Sequence, residues 1–441
     1  MSTAPSRSPL ARNQLAAVPT ALILSVSRDE LVLADHWQTT TVRGERDIRE
    51  HLVRLAARHP AGAILYAAGW DDYRALRKLY PKSAEGRKTD QGPQSLTCLR
   101  WPTVYFWKAL GGTGDRQAAW YAFEDHCRSH GVVPKTVGRT ALDLWHNTGG
   151  NSYQTSLNGH LLRDVVRDRL IYGARDHAIR YGLHHGARYL DLIAAYPSAM
   201  VAGPFPLKLR RGSNNPPPQA TGIAQARVRV PELRDAPIPN GQYRGPIPWR
   251  TAEGRITFPT KETLAGWWTL AELRFAEETG CEVERFKTFV GDDYQDVFGR
   301  WFAEVYLEGR SLPHDAARLA KQCGNALWGA LKNDQTKILW TAEVTARVRI
   351  QVARALYTPG LSPLYADTDG IIANGDATLG PEWAQKEWAG TTSVKILRTG
   401  SYAYRTETGL WKVSSERNLD LAQFNREYET RFGATEEMLG P

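Results

Sequence analysis

The chain has 441 residues, 42% of them hydrophobic, which excludes a disordered or fibrous protein and allows two or three lobes with cores of their own. Lys and Arg number 56 against 47 Asp and Glu, a net charge of +9 that suits a polyanionic partner. No apolar run approaches the ~20 residues needed to span a bilayer. Cys98, Cys127, Cys281 and Cys323 form no CxxC pair, which argues against a zinc ribbon or disulfide framework and for a reducing, cytoplasmic setting.

Residues 1–20, with Pro5 and Pro9 among small and polar neighbours, read as a flexible arm lacking the apolar core of a secretory signal. Residues 21–27 and 30–34 read as paired strands, 47–58 as an amphipathic helix and 63–67 as a further strand leading into a helix, an α/β layout. A polar loop is expected over 80–97, an apolar and aromatic stretch over 101–110, and a helix over 118–130. Residues 135–188 are expected to be largely helical, with Arg163, Arg167, Arg169, Arg175 and Arg180 on a solvated face. A strand then runs from Ala187 and turns at Pro197. Its single charge, Asp191, sits in an apolar run, where a lone carboxylate is costly unless it is paired or bound to a metal. A proline-rich linker over 211–219 precedes short strands at 224–230 and 255–258. Helices over 264–279 and 292–308 are expected to flank a strand near 283–289.

Two later stretches carry chemistry. Lys321, Asn325 and Trp328 stand at i, i+4 and i+7, so one helical face offers a cation, an amide and a large aromatic plane. Such a face suits a nucleotide, although an amphipathic helix with a snorkelling lysine has the same pattern. After a helix over 343–357, the segment from Leu361 to Ala373 reads as a β-hairpin whose turn carries Asp367, Thr368 and Asp369. Two carboxylates at that bend repel by about 4 kcal/mol at ~4 Å and an effective dielectric of ~20. A divalent cation relieves the repulsion, and hard oxygen ligands favour Mg2+. An ordinary Asp-Gly surface turn is the plainer explanation of the hairpin alone.

In order, the three stretches read D-L-I-A-A-Y-P-S, K-Q-C-G-N-A-L-W-G and Y-A-D-T-D-G. Together they resemble the A, B and C motifs of family B DNA polymerases, DxxSLYPS, KxxxNSxYG and YxDTDS, with the spacing of the protein-primed branch of phages and linear plasmids. The resemblance covers about residues 165–415. It implies a multidomain α/β and α+β fold, a right-hand polymerase with palm, fingers and short thumb, preceded by a degenerate ribonuclease H-like exonuclease lobe. The implied bounds are an arm to 20, the exonuclease-like domain over 21–165, palm over 166–300 with an insertion, fingers over 301–345, palm again over 346–415, and a short thumb or tail over 416–441.

Carried over by position, Asp191, Asp367 and Asp369 would bind two Mg2+ ions, with Mn2+ as a substitute, and act with Lys321 as the catalytic set. Leu192, Tyr196, Arg310, Lys321, Asn325 and Trp328 would contact the incoming nucleotide, Tyr196 excluding a ribose 2′-hydroxyl. Tyr365, Thr368, Arg398, Tyr402 and Lys412 would hold the primer and DNA. Gly370 replaces the last serine of motif C, and Gly400 stands where the family's KxY segment has its lysine, so Arg398 or Lys412 would take over that grip.

The exonuclease motifs are incomplete. Ser25-Val26-Ser27 stands where an Asp-x-Glu pair belongs, Ala67 replaces an asparagine upstream of Asp71, and only Tyr121 to Asp125 fits the third motif, YxxxD. A two-metal nuclease site cannot be built from these positions. The expected activity is template-directed DNA synthesis from a primer 3′-hydroxyl, without proofreading, on a phage, plasmid or other mobile element. The expected partners are primer-template DNA, dNTPs and a terminal protein primer, with the chain monomeric and no membrane involved. A specialised repair or primase-like polymerase and a non-catalytic nucleic-acid-binding relic are the competing readings.

Overall fold

The computed structural model describes residues 20–26, 30–34, 39–57, 63–67, 75 and 96–100, then 116–433 with breaks at 156–163, 167–169, 171, 173, 232–244, 253, 255, 335, 386–391, 406–408 and 416–418. The expected arm, Asp71, the loop over 80–95 and the stretch over 101–110 lie outside these residues. The chain forms two compact units, one of residues 1–153 and 297–333, the other of 154–296 and 334–441. Among the described residues no helix is long and apolar enough to cross a membrane.

The first unit contains a five-stranded sheet of β1 (Thr20–Val26), β2 (Glu30–Ala34), β3 (Thr39–Arg43), β4 (Ala63–Ala67) and β5 (Leu96–Arg100), in the order β3-β2-β1-β4-β5. The first three strands pair antiparallel, whereas β4 and β5 run parallel to β1. The Glu45–Ala57 helix buries Ile48 and Leu52, one turn apart. A second group is helical: Arg116–Ser129, Val137–Asn147 and His314–Leu331. Thr136 caps the second of these by accepting from the Arg139 N–H. Phe123, Cys127, Leu144, Trp145, Cys323 and Leu327 are among the buried apolar residues of these helices. The Trp145 indole donates to the Val297 carbonyl at 2.8 Å, which joins the two chain segments of the unit.

The described residues of the second unit form two larger sheets and one two-stranded sheet. Strands β6 (Arg175–Ala178) and β7 (Gly182–Leu192) open the unit, followed by the short helix Ala195–Val201. Next come β8 (Phe205–Gly212), β9 (Gly222–Arg229), the small pair β10 (Trp249–Arg250) and β11 (Ile256–Thr257), β12 (Thr263–Thr269), the helix Leu270–Glu278 and β13 (Glu282–Gln295). After the helix Ile338–Leu356 the chain forms β14 (Ser362–Thr368), β15 (Gly370–Asn374), β16 (Trp383–Gln385), β17 (Thr392–Arg398), β18 (Ser401–Arg405), β19 (Trp411–Ser415) and the helix Leu421–Phe432. One sheet has the order β12-β9-β13-β8, all antiparallel. The other runs β19-β18-β17-β7-β15-β14-β6, with β16 also on β7.

Four expectations are corrected here. Among its described residues the stretch 135–188 is helical at Val137–Asn147 and briefly beyond, but its last part is strand, at Arg175–Ala178 and from Gly182 onward. Pairing with β14 on one side and with β15 and β17 on another satisfies the backbone of β6 and β7, and Gly182 at φ +100° helps the chain turn between them. Arg175 is not on a solvated face but fully buried, donating to the Gly245 and Pro246 carbonyls over the Phe258 ring. The segment 264–279 is half strand and half helix. Thr269 and Glu272 form a capping box that starts the helix only after Thr269. The helix expected from Asp292 begins at Gly299, because β13 continues to Gln295 in register with β8.

The helix Ile338–Leu356 is buried nearly all round. Its Arg349 forms a 2.7 Å ion pair with Glu272, both side chains 2% exposed, and donates to the Tyr172 carbonyl. Removing either partner would strand a buried charge, at about 3–5 kcal/mol. Arg347 donates to the carbonyls of Ala199 and Gly203, fastening the segment around helix Ala195–Val201.

Candidate active site

The site of the second unit follows from strand register. Asp367 on β14 lies opposite Gly370 on β15, and Gly370 lies opposite Asp191 on β7. On the outer side Asp367 faces Asp176 of β6. Directly opposed residues project to one face, so the row reads Asp176, Asp367, Gly370, Asp191. With strands ~4.8 Å apart, Asp367 and Asp191 flank the glycine at about 10 Å between Cα atoms. Asp369 sits in the turn, where its carbonyl accepts the Leu192 N–H at 2.9 Å. This bond ties the hairpin to the end of β7.

Tyrosines organise the acids. Tyr189 and Tyr402 both donate to Oδ2 of Asp367, at 2.9 and 2.7 Å, while Tyr365 donates to Asp176 and accepts the Gly400 N–H at 2.7 Å. Burial, and then the Asp367 carboxylate, push the Tyr189 and Tyr402 hydroxyls far up, so both stay protonated donors. Burial and the nearby charge of Asp369 raise Tyr196 to about 12.

Two backbone positions are strained. Thr368, between the motif aspartates, has φ +61°, and Ala194, before the helix that carries Tyr196, has φ +50°. Each costs about 1–3 kcal/mol and persists only where the surroundings demand it.

The donor set fits hard divalent cations: carboxylates line a face, and the residue between two of them has no side chain. A Cβ at Gly370 would stand 3.0 Å from Asp191 Oδ1 and 2.9 Å from the Tyr189 hydroxyl, so the missing side chain leaves room beside the acids. Among the described residues, the three-ligand cluster with atoms within 4.8 Å of one another is His126, His130 and Glu308 of the first unit, so the three aspartates are spaced more widely than that.

Of the sequence candidates, Asp191, Leu192, Asp367, Thr368, Asp369, Tyr196, Tyr365 and Tyr402 belong to this one end of the sheet. Arg398 pairs with Glu427 at 2.7 Å, and Lys412 lies exposed on β19 opposite Tyr404. Lys321, Asn325 and Trp328 belong to the first unit, on the His314–Leu331 helix. They lie on its less buried side, Lys321 exposed, while Ala320, Cys323 and Leu327 face the core. Arg310, in the same unit, donates to the Ala317 carbonyl at 2.9 Å. Sequence reasoning missed Asp176 and Tyr189. Tyr189 stands two residues before Asp191 and so shares its face, a signal that could have been used; Asp176 depends on the pairing of β6 with β14.

No protein-family model matches the sequence, and no curated protein sequence matches it. Solved structures of Phi29 DNA polymerase do resemble it. The complex with primer-template DNA superposes with a TM-score of 0.63 at 13% identity, covering 95% of this chain and 95% of that one. The ternary complex with incoming nucleotide gives 0.61 at 13% identity, covering 95% and 94%. An orthorhombic crystal form gives 0.60 at 12% identity, covering 92% and 94%. The chain thus has the fold of Phi29 DNA polymerase, a mixed α/β palm-and-fingers architecture, over nearly all of its length.

Proposed function

We propose that the chain is a template-directed DNA polymerase that extends a primer 3′-hydroxyl with dNTPs. The observation that carries this reading is the carboxylate row of Asp367, Gly370 and Asp191 beside Asp369, set in a Phi29-type fold. In the reaction the primer oxygen forms a bond to the α-phosphorus, the bond from that phosphorus to the bridging oxygen breaks, pyrophosphate leaves, and the hydroxyl proton goes to solvent or a nearby carboxylate. Two Mg2+ ions, held by Asp191, Asp367 and Asp369, would supply charge stabilisation of the attacking and leaving oxygens. Tyr189 and Tyr402 hold the Asp367 carboxylate by one oxygen and leave the other for a ligand. Tyr196 supports the sugar and excludes a 2′-hydroxyl, and Leu192 lines the nucleotide site. Lys321, with Asn325, Trp328 and Arg310, contacts the nucleotide from the fingers, and positive charge aids the triphosphate. Tyr365, Thr368, Tyr402, Arg398 and Lys412 line the primer side.

The domain partition inferred from the sequence belongs to the same proposal: arm, exonuclease-like lobe, palm, fingers, palm and short thumb. The first lobe is a proofreading domain that has lost its chemistry. Its support is the β3-β2-β1-β4-β5 order, as in ribonuclease H-like sheets, together with serines at the first motif and an Asp125 exposed on its helix. Replication of a phage, plasmid or other mobile element, initiated from a terminal protein and carried out by a monomer, completes the reading.

The test is primer extension with Mg2+ on a labelled template. The wild-type chain extends the primer, and Asp369→Asn abolishes extension while DNA binding stays nearly intact, because binding rests on salt-sensitive phosphate contacts. Normal extension by that variant contradicts the assignment. Comparing a DNA primer with a hydroxyl-bearing protein separates the modes of initiation.

A further inference from the structure

The first unit holds a second group of ligating side chains with no part in the carboxylate row. His126, on the Arg116–Ser129 helix, and His130, just beyond its end, are one turn apart, with ring centroids at 4.9 Å and planes at 77°. Glu308 comes from a distant part of the same unit and completes a set whose ligand atoms all lie within 4.8 Å of one another.

Four further features mark this as a built site. The His130 Nε2 atom is buried without a hydrogen-bond partner among the described residues, and it faces Glu308 Oε2 at 3.4 Å. That separation matches the edge of a zinc tetrahedron, roughly 3.4 Å for bonds of 2.0–2.1 Å. His126 Nε2 lies 3.0 Å from the Val305 carbonyl, which can only accept, so the proton is on Nε2 and the lone pair on Nδ1. An outer carbonyl that fixes ring and tautomer is the usual partner of a metal-bound histidine. Val305 itself lies in the π-helical stretch Phe302–Leu307, directly before Glu308. Such turns are rare and found mostly at functional sites, and this one supplies the orienting carbonyl and leads directly into the third ligand. Gly309 permits the close approach: a Cβ there would stand 3.1 Å from His126 Nε2.

We propose that His126, His130 and Glu308 bind a zinc ion that clips the Arg116–Ser129 helix to the 302–310 segment. Two imidazoles with one carboxylate are a zinc donor set; Mg2+ and Ca2+ prefer oxygen alone. Glu308 is 60% exposed, so water completes the coordination. The site uses only residues of the first unit and does not depend on the polymerase reading.

The experiment uses the full chain, freed of affinity tag and stripped with chelator, titrated with zinc against a chromophoric chelator and followed by thermal melting. The expected result is about one tightly held zinc per chain, a rise in melting temperature with zinc, and no such rise with Mg2+. Glu308→Gln and His130→Gln each weaken that binding by more than about tenfold and abolish the thermal shift. Glu308→Gln changes an exposed side chain, so an unchanged melting curve without metal certifies its fold. It also leaves Asp191, Asp367 and Asp369 in place, so zinc bound there would survive the substitution. Absence of a tight zinc, or equal binding by wild type and Glu308→Gln, overturns the proposal and leaves a simple histidine–carboxylate contact.

Discussion

Asp367 is held by two hydroxyls, those of Tyr189 and Tyr402. The two share one of its oxygens, and each bond to an ionised carboxylate contributes about 1.5–3 kcal/mol. Tyr189→Phe therefore removes positioning without removing a ligand. Single-nucleotide incorporation is expected to slow by roughly 10–100-fold, with the Mg2+ concentration for half-maximal rate raised and the dNTP KM nearly kept. Rapid-quench measurement over a Mg2+ series checks this. Tyr402→Phe should behave alike, and the double variant should be non-additive because the two hydroxyls serve one atom. An unchanged rate in both single variants would mean that the strand backbone alone fixes Asp367.

At the scale of elements, the helix Ile338–Leu356 sets conditions for both sheets. Burial raises its Glu343 carboxyl to about 6, with Arg347 and the Gly222 N–H pulling the other way. A carboxyl whose folded pKa lies above its ordinary value near 4.5 lets the fold keep its proton more readily than the unfolded chain does. This group therefore costs nothing below about pH 4.5 and lowers stability as pH rises toward 6, by about 2 kcal/mol in all. The stability of Glu343→Gln relative to wild type should rise by that amount between pH 4 and 7, measured by urea unfolding at each pH. The same elements show what the sequence reveals. The hairpin of Asp367 and Asp369, the position of Asp191 near a strand end and the face of Lys321, Asn325 and Trp328 were legible because each depends on neighbours within a few residues. The strand at 175–178, the first half of the strand that ends at Leu192, and the strand at 263–269 were not, because their backbones are satisfied by partners far along the chain. Asp176 was hidden for the same reason: only the register of β6 on β14 sets it beside Asp367.

For the molecule as a whole, the +9 charge agrees with the polyanionic template of the proposed function. If the amino-terminal lobe is inert, a labelled mismatched 3′ end should survive incubation under extension conditions, and its trimming would restore a nuclease reading of Ser25, Ser27 and Asp125. The two units are also interleaved along the chain, the first being completed only by residues 297–333. A ribosome must deliver Asn333 before that unit has all its parts. Until then the Trp145 indole lacks the Val297 carbonyl, and the buried faces of helices Arg116–Ser129 and Val137–Asn147 lack the His314–Leu331 helix they pack on. Nascent chains shorter than this should be protease-sensitive and dependent on holdase chaperones. Cutting the folded protein near residues 153, 296 or 333 should give a nicked but associated product rather than free domains.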